Sequence, residues 1–259
     1  MRYEGDIVMR TGIVRAIAGA TAAGAVIATS GLTAGTASAA TGALPVIYGN
    51  HYAGYDTANS NNWLFRYVAT TLPVKACRIA PAKNPVVEMQ LWTSTRWLAG
   101  IAVFCNGGAR SVFYYDTKSA ITHVQGAFRL SPHTGDRLRI SVSRNVPARQ
   151  DSFTVTDLRT RQSQTVRVTT SAAVVYHHAF VGSLIARNAD VMPLPAASKL
   201  LWSFANTRVI TYGGVRGTLL GPWATFEEID RTAAGVTVMY PSTLSSGGAA
   251  FSTYLHAAG

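Results

Sequence analysis

Short segments in which apolar and polar residues alternate follow one another along most of the chain. The segment 136–144, DRLRISVSR, shows the pattern most clearly. Because side chains alternate along a strand, Leu138, Ile140 and Val142 fall on one side, and the arginines and serines between them fall on the other. The pattern therefore predicts a β-strand with one buried face.

Similar segments recur after residue 62 and are separated by turn residues such as Pro73 and Asn106-Gly107-Gly108. Helical periodicity is nearly absent after residue 40. Many short strands separated by turns are typical of an all-β sandwich or barrel, which we expect to be one domain. The predicted strands are 63–72, 86–93, 97–105, 111–117, 121–130, 136–144, 152–158, 165–170, 179–186, 200–212, 224–229, 236–240 and 251–255.

The first forty residues have a different composition from the rest. Arg10 and Arg15 precede an apolar stretch at 16–28, and small residues follow up to Ala40. This order is typical of a secretory signal peptide cleaved after Ala39, with Met1 or Met9 as the start. A membrane anchor is the alternative, but it needs about 20 apolar residues and this stretch is shorter. We expect a secreted, extracellular protein with one domain at 40–259.

The composition excludes intrinsic disorder, because 48% of the 259 residues are hydrophobic and only 14% are charged. The chain has 23 basic and 12 acidic residues, and the predicted cleavage leaves 20 and 10. A nucleic-acid surface needs its basic residues gathered on one face, whereas these are scattered. We therefore expect no specific nucleic-acid partner, and the net charge suits an anionic cell-wall polymer.

Cys77 and Cys105 are the two cysteines of the chain. In an oxidising compartment such a pair predicts one disulfide. Two sulfurs cannot complete a zinc site, and no Cys-x-x-Cys is present. The adjacent His177 and His178 would point to opposite faces of an extended segment. We therefore expect no metal and no other cofactor.

The motifs of serine hydrolases, zinc peptidases, phosphate-binding loops and EF-hands are all missing. The most informative acid is Glu88, in the segment VVEMQLW at 86–92. Glu88, Gln90 and Trp92 share one face of the predicted strand, with Glu88 and Gln90 about 7 Å apart. Such a face is either the polar floor of a cleft or an ordinary solvent-exposed face, and the second is the commoner arrangement.

Several short motifs, in their order, make the chain resemble the eqolisins, which are secreted glutamic peptidases. These motifs are HYAGY at 51–55, WLAGI at 97–101, GDRL at 135–138, DLRTRQS at 157–163 and MPLP at 192–195. The resemblance implies a concanavalin-like, jelly-roll sandwich of two antiparallel sheets with a concave face.

The resemblance also implies where the catalytic residues of that family would fall. There, a glutamate is the general base and then the general acid, and a glutamine holds the water and stabilises the oxyanion. The segment matching the glutamate motif is 179–185, and no acid lies between Asp157 and Asp190. The glutamine position falls near 112–114, where no glutamine occurs. The resemblance therefore implies that both catalytic positions are lost.

We predict a secreted, eqolisin-like sandwich without the peptidase dyad, whose concave face binds a polymer, either peptide or glycan. Glu88, Gln90, Trp92 and Tyr114 are the candidate contacts. The alternative is an acid-acting endopeptidase with displaced residues, in which Glu88 or Glu227 is the acid and Gln90 is the amide.

Overall fold

The computed structural model describes residues 43–49, 52–58, 63–76, 86–93, 98–106, 109–117, 123–170, 174–184, 199–232 and 235–256. The predicted signal peptide lies outside these residues. Among the residues described, no helix has the length and apolar character that a bilayer crossing requires.

The described residues form strands and no helix, which confirms the predicted all-β class. The strands are β1 (Val46–Gly49), β2 (Tyr52–Ala58), β3 (Phe65–Pro73), β4 (Val86–Trp92), β5 (Leu98–Asn106), β6 (Ala109–Thr117), β7 (His123–Ala127), β8 (Arg137–Asn145), β9 (Gln150–Asp157), β10 (Ser163–Thr169), β11 (His178–Leu184), β12 (Lys199–Thr211), β13 (Arg216–Gly217), β14 (Ala224–Arg231), β15 (Thr237–Pro241) and β16 (Phe251–Leu255). Each predicted strand is present, whereas β1, β2 and the short β13 were not predicted.

Hydrogen bonding links the strands into two layers that are continuous with each other. The order is β10-β9-β8-β3-β12-β16-β15-β14-β2-β11-β4-β5-β6-β7, with β1 beside β14 and β13 beside β12. Every pair is antiparallel except β1 with β14. The predicted antiparallel sandwich is therefore confirmed.

The long strand β12 connects the two layers. Its first half pairs with β16, and its second half pairs with β3. The register shifts between Ala205 and Arg208, and Asn206 has a φ of 53°. A bulge of this kind bends a strand, which allows one strand to belong to both layers.

The hydrophobic core fills the space between the layers. It contains large side chains with at most 2% exposure, among them Trp202, Tyr55, Phe153, Met89 and Leu138. Strand β8 behaves as its alternation predicts, because Leu138, Ile140 and Val142 are all buried. Each layer therefore has one face toward this core and one face away from it.

The predicted disulfide stays a prediction, because Cys77 lies outside the described residues. Cys105 lies on β5 opposite Arg110 of β6. The Arg110 side chain donates hydrogen bonds to the carbonyls of Lys75 and Ala76, at 2.6 and 3.2 Å. These bonds bring the residues that precede Cys77 to the same end of the sandwich as Cys105.

Candidate functional site

Strands β2, β11, β4, β5 and β6 lie side by side in one layer and carry polar residues on the face turned away from the core. We call this the outer face. It is formed by Tyr52, Gly54 and Asp56 of β2, His178, Phe180 and Gly182 of β11, Glu88, Gln90 and Trp92 of β4, Gly100 and Ala102 of β5, and Phe113 and Tyr115 of β6. The residues between them, such as Tyr55, Met89 and Ile101, face the core and are at most 1% exposed.

Glu88 and Gln90 form a hydrogen-bonded pair at the centre of this face. The Gln90 Nε2 donates to Glu88 Oε2. Only 8% of Glu88 and 7% of Gln90 are exposed, so the arrangement is not an ordinary solvent-exposed face. A buried carboxylate is costly unless it accepts hydrogen bonds, and the Gln90 amide supplies one.

Tyr115 lies in the same row of the sheet as Gln90, with Gly100 between them. Gly100 has no side chain, and the Tyr115 ring and hydroxyl occupy the space that a Cβ would take. The Tyr115 hydroxyl is buried. Burial, and then the negative charge of Glu88, raise the pKa of Tyr115 well above its usual value.

Replacing Gly100 with alanine should displace Tyr115 and lower the free energy of unfolding by about 1 to 3 kcal/mol, as overpacking does. Urea unfolding followed by fluorescence measures this. Gly213→Ala is the matched control, because only Thr211 Oγ1, at 3.9 Å, lies near its added methyl group. In a Tyr115→Ala background the change at Gly100 should cost nothing more; an undiminished loss there would contradict the proposed overlap.

A second polar group lies beside the Glu88–Gln90 pair. His178 Nδ1 is 3.1 Å from Asp56 Oδ2, and the His178 ring stacks on Trp92 with centroids 3.7 Å apart. Asp56 is 2% exposed, whereas 20% of the His178 side chain is exposed. The outer face thus carries two polar pairs side by side. One is the carboxylate of Asp56 with the imidazole of His178, and the other is the carboxylate of Glu88 with the carboxamide of Gln90.

Phe180 and Gly182 of β11 lie between β2 and β4. Phe180 is opposite Asp56 on one side and Gln90 on the other. Its ring lies where a Cβ on Gly182 would be. Phe180 lies in the segment 179–185, which the sequence resemblance matches to the eqolisin glutamate motif. The position therefore holds an apolar ring with polar side chains on both neighbouring strands.

Two residues named from the sequence lie on the other side of the sheet. Tyr114 faces the core, where its ring is 5.6 Å from Phe128 and 5.5 Å from Phe153. Glu227 of β14 is opposite the core residue Tyr55, and burial raises its pKa. Neither belongs to the outer face, because side chains alternate along β6 and β14.

Sequence reasoning missed several members of the outer face, among them Asp56, Tyr115 and His178. The alternation of β6 separates Tyr114 from Tyr115, but only the packing shows which of them faces the core. Asp56 lies two residues after Gly54, within an unpredicted strand. Within the described ranges, no group of three or more His, Cys, Asp or Glu is placed to hold a metal ion.

The arrangement can bind a polar ligand and can move a proton. Glu88 can accept a proton or a hydrogen bond, and the Gln90 carboxamide carries one further N–H and a carbonyl oxygen. Half-buried aromatic rings surround the pair, including Trp92, Tyr115 and Tyr52. Aromatic rings beside convergent polar groups are the usual lining of a binding site.

No family model matches the sequence, and no curated protein matches it either. Solved structures do resemble the fold. Scytalido-glutamic peptidase with a transition-state analogue inhibitor has a TM-score of 0.57 and 14% identity, over 79% of this chain and 97% of that chain. The same peptidase with a peptide-based analogue has a TM-score of 0.58 and 14% identity, over 80% and 98%.

A third structure is SCP-B, a member of the eqolisin family, in a complex with the tripeptide Ala-Ile-His. Its TM-score is 0.56 at 13% identity, over 79% of this chain and 97% of that chain. The expected eqolisin-like fold is therefore confirmed. At this identity the likeness concerns the fold alone.

Proposed function

We propose that the outer face binds an extended segment of polypeptide outside the cell. The observation that carries the proposal is the buried Glu88–Gln90 pair, which lies on the face away from the hydrophobic core. Apolar side chains would be more stable in such central strands than an acid and an amide. Polar residues that break the local rule in this way are expected at functional sites.

The chemistry of the pair suits a peptide group. A carboxamide offers a donor and an acceptor together, which match the C=O and N–H of a backbone amide. The half-buried ring of Trp92 lies two residues from Gln90 along β4, and that of Tyr115 lies two strands away in the same row of the sheet. They offer apolar surface to the side chains of a bound segment.

The similar structures support a peptide rather than a glycan. Two of them were solved with a peptide-based analogue or with a tripeptide. The signal-like N-terminus supports an extracellular location. Binding of this kind requires no catalysis, which agrees with the lack of an acid in the segment 179–185.

Binding of a labelled, unfolded polypeptide, measured by fluorescence anisotropy, tests the proposal. Gln90→Ala and Trp92→Ala should each weaken binding about tenfold, because each removes a central contact. Gln162→Ala, in the exposed turn before β10, and Tyr240→Ala of β15 are matched controls and should leave binding unchanged. Circular dichroism checks that every variant folds.

Two results would overturn the peptide proposal. One is that the wild-type protein binds no unfolded polypeptide. The other is that it binds an insoluble polysaccharide instead, with the same loss in Gln90→Ala and Trp92→Ala, because the outer face would then be a glycan site.

A second candidate function is hydrolysis of the bound polypeptide. The contact between Glu88 and Gln90 favours it, because a carboxylate and a carboxamide then meet at one point. Glu88 would take a proton from water, and Gln90 would hold the water and the oxyanion. The first test is whether the wild-type protein cleaves an unfolded protein at acidic pH.

A further inference from the structure

Three basic residues come together at one end of the sandwich, away from the outer face. They are Lys75 after β3, Arg110 at the start of β6 and Lys199 at the start of β12. The Arg110 side chain donates to the Lys75 carbonyl at 2.6 Å. Lys75 Nζ in turn donates to the carbonyl of Leu200, the residue after Lys199, at 3.4 Å.

Arg110 is held in place by several contacts. Its guanidinium lies over the ring of the core residue Trp202, 4.8 Å from the centroid, and also donates to the Ala76 carbonyl. Burial lowers the pKa of Arg110 to about 10. The cation is therefore positioned and partly removed from water, yet its contacts with the described residues are a ring and neutral carbonyls.

No carboxylate balances these charges in the part of the chain that the structure describes. None of the three cations has an Asp or Glu within salt-bridge distance there. The pKa of Lys75 is lowered by burial and then by the positive charges of Arg110 and Lys199. The three cations thus repel one another, which a bound anion would relieve.

The sequence around Lys75 adds positive charge and no negative charge. Between Pro73 and Pro85 the chain contains Lys75, Arg78 and Lys83 and no acid. Among the described residues, Asp136 hydrogen bonds through its backbone to Val74, next to Lys75, but its carboxylate is already bound to Arg159. An anion supplied from outside the chain would balance the positive charge that the described residues leave at this end.

We propose that Lys75, Arg110 and Lys199 form a binding site for a phosphate group carried by an anionic polymer. A phosphate diester or monoester offers several acceptor oxygens to the free N–H groups of an arginine and two lysines. The site is independent of the proposed function, because it lies at the end of the sandwich and uses none of the outer-face residues.

Fluorescence competition between a labelled polyphosphate chain and inorganic phosphate tests the site. The wild-type protein should bind polyphosphate, and inorganic phosphate should displace it more effectively than chloride at equal ionic strength. Lys75→Gln and Lys199→Gln should each weaken binding at least about tenfold, because each removes a charged hydrogen bond. Both lysines are exposed or half-buried, so these variants are expected to fold.

Arg208→Gln is the matched control, because Arg208 is an exposed cation on the same strand as Lys199. It removes the same charge and should leave binding unchanged. Equal losses in all three variants would overturn the site, because net charge alone would then attract the polymer. Displacement by chloride as effective as by phosphate would overturn the phosphate assignment.

Discussion

Replacing Arg144 with methionine should lower the free energy of unfolding by about 3 to 5 kcal/mol, the usual cost of breaking a buried ion pair. The side chains of Arg144 on β8 and Asp151 on β9 are both 0% exposed, and Arg144 Nη1 is 3.2 Å from Asp151 Oδ2. Arg144 also donates to Val174 and Thr170, at 3.1 and 2.7 Å. Without the arginine, a carboxylate would stay buried with no cation beside it.

Urea unfolding at neutral pH measures this loss. Arg139→Gln is the matched control, because Arg139 is an exposed arginine on the same strand and its loss should leave stability unchanged. The double variant Arg144→Met, Asp151→Leu should recover most of the loss, because an apolar pair can replace a buried ion pair. A single variant as stable as Arg139→Gln would contradict the prediction.

The same cluster should make stability depend on pH. Burial raises the pKa of Asp151, although Arg144 and the hydroxyl of Tyr176, 2.8 Å away, oppose the shift. The buried Asp116 of β6 lies on the same, core-facing side as Tyr114 and also interacts with Asp151. Because the folded pKa lies above the unfolded one, this contribution is fully present at low pH and is lost as pH rises through the raised pKa. Asp151→Asn should remove that part of the pH dependence.

If the second candidate function, hydrolysis of the bound polypeptide, holds, replacing Glu88 with glutamine should reduce polypeptide cleavage about 100- to 10,000-fold, the usual contribution of a general acid–base residue. The variant keeps the shape of the side chain and can still hydrogen bond with Gln90. The fold and the binding of polypeptide should therefore be retained. Initial cleavage rates of an unfolded protein at acidic pH measure the effect.

Glu227→Gln is the matched control, because Glu227 is a partly buried acid on the other side of the sheet. Its replacement should leave the cleavage rate unchanged. Equal rates for Glu88→Gln and the wild-type protein would exclude Glu88 as the base. If the wild-type protein binds polypeptide and does not cleave it, the hydrolysis proposal fails and the binding proposal stands.

The alternation of side chains was sufficient to predict most of the strands. It failed for β2, in which five consecutive residues are buried, including Gly54, Asp56 and Thr57. Such a strand is covered on both faces and shows no alternation of apolar and polar residues. The burial of Arg144 could have been predicted from the sequence. Arg144 follows Leu138, Ile140 and Val142 at the same spacing of two residues and therefore faces the core.

The sequence alone determined the all-β class, most of the strand positions and the shared face of Glu88, Gln90 and Trp92, because these follow from a period of two within one segment. Only the tertiary structure decided which other residues share the outer face with these three. Asp56, Tyr115 and His178 are distant in the sequence, and strand pairing brings them to the same face. The pairing also decided that Tyr114 and Glu227 lie on the side of the sheet opposite the outer face. Which side of a strand packs on the core depends on the strands beside it.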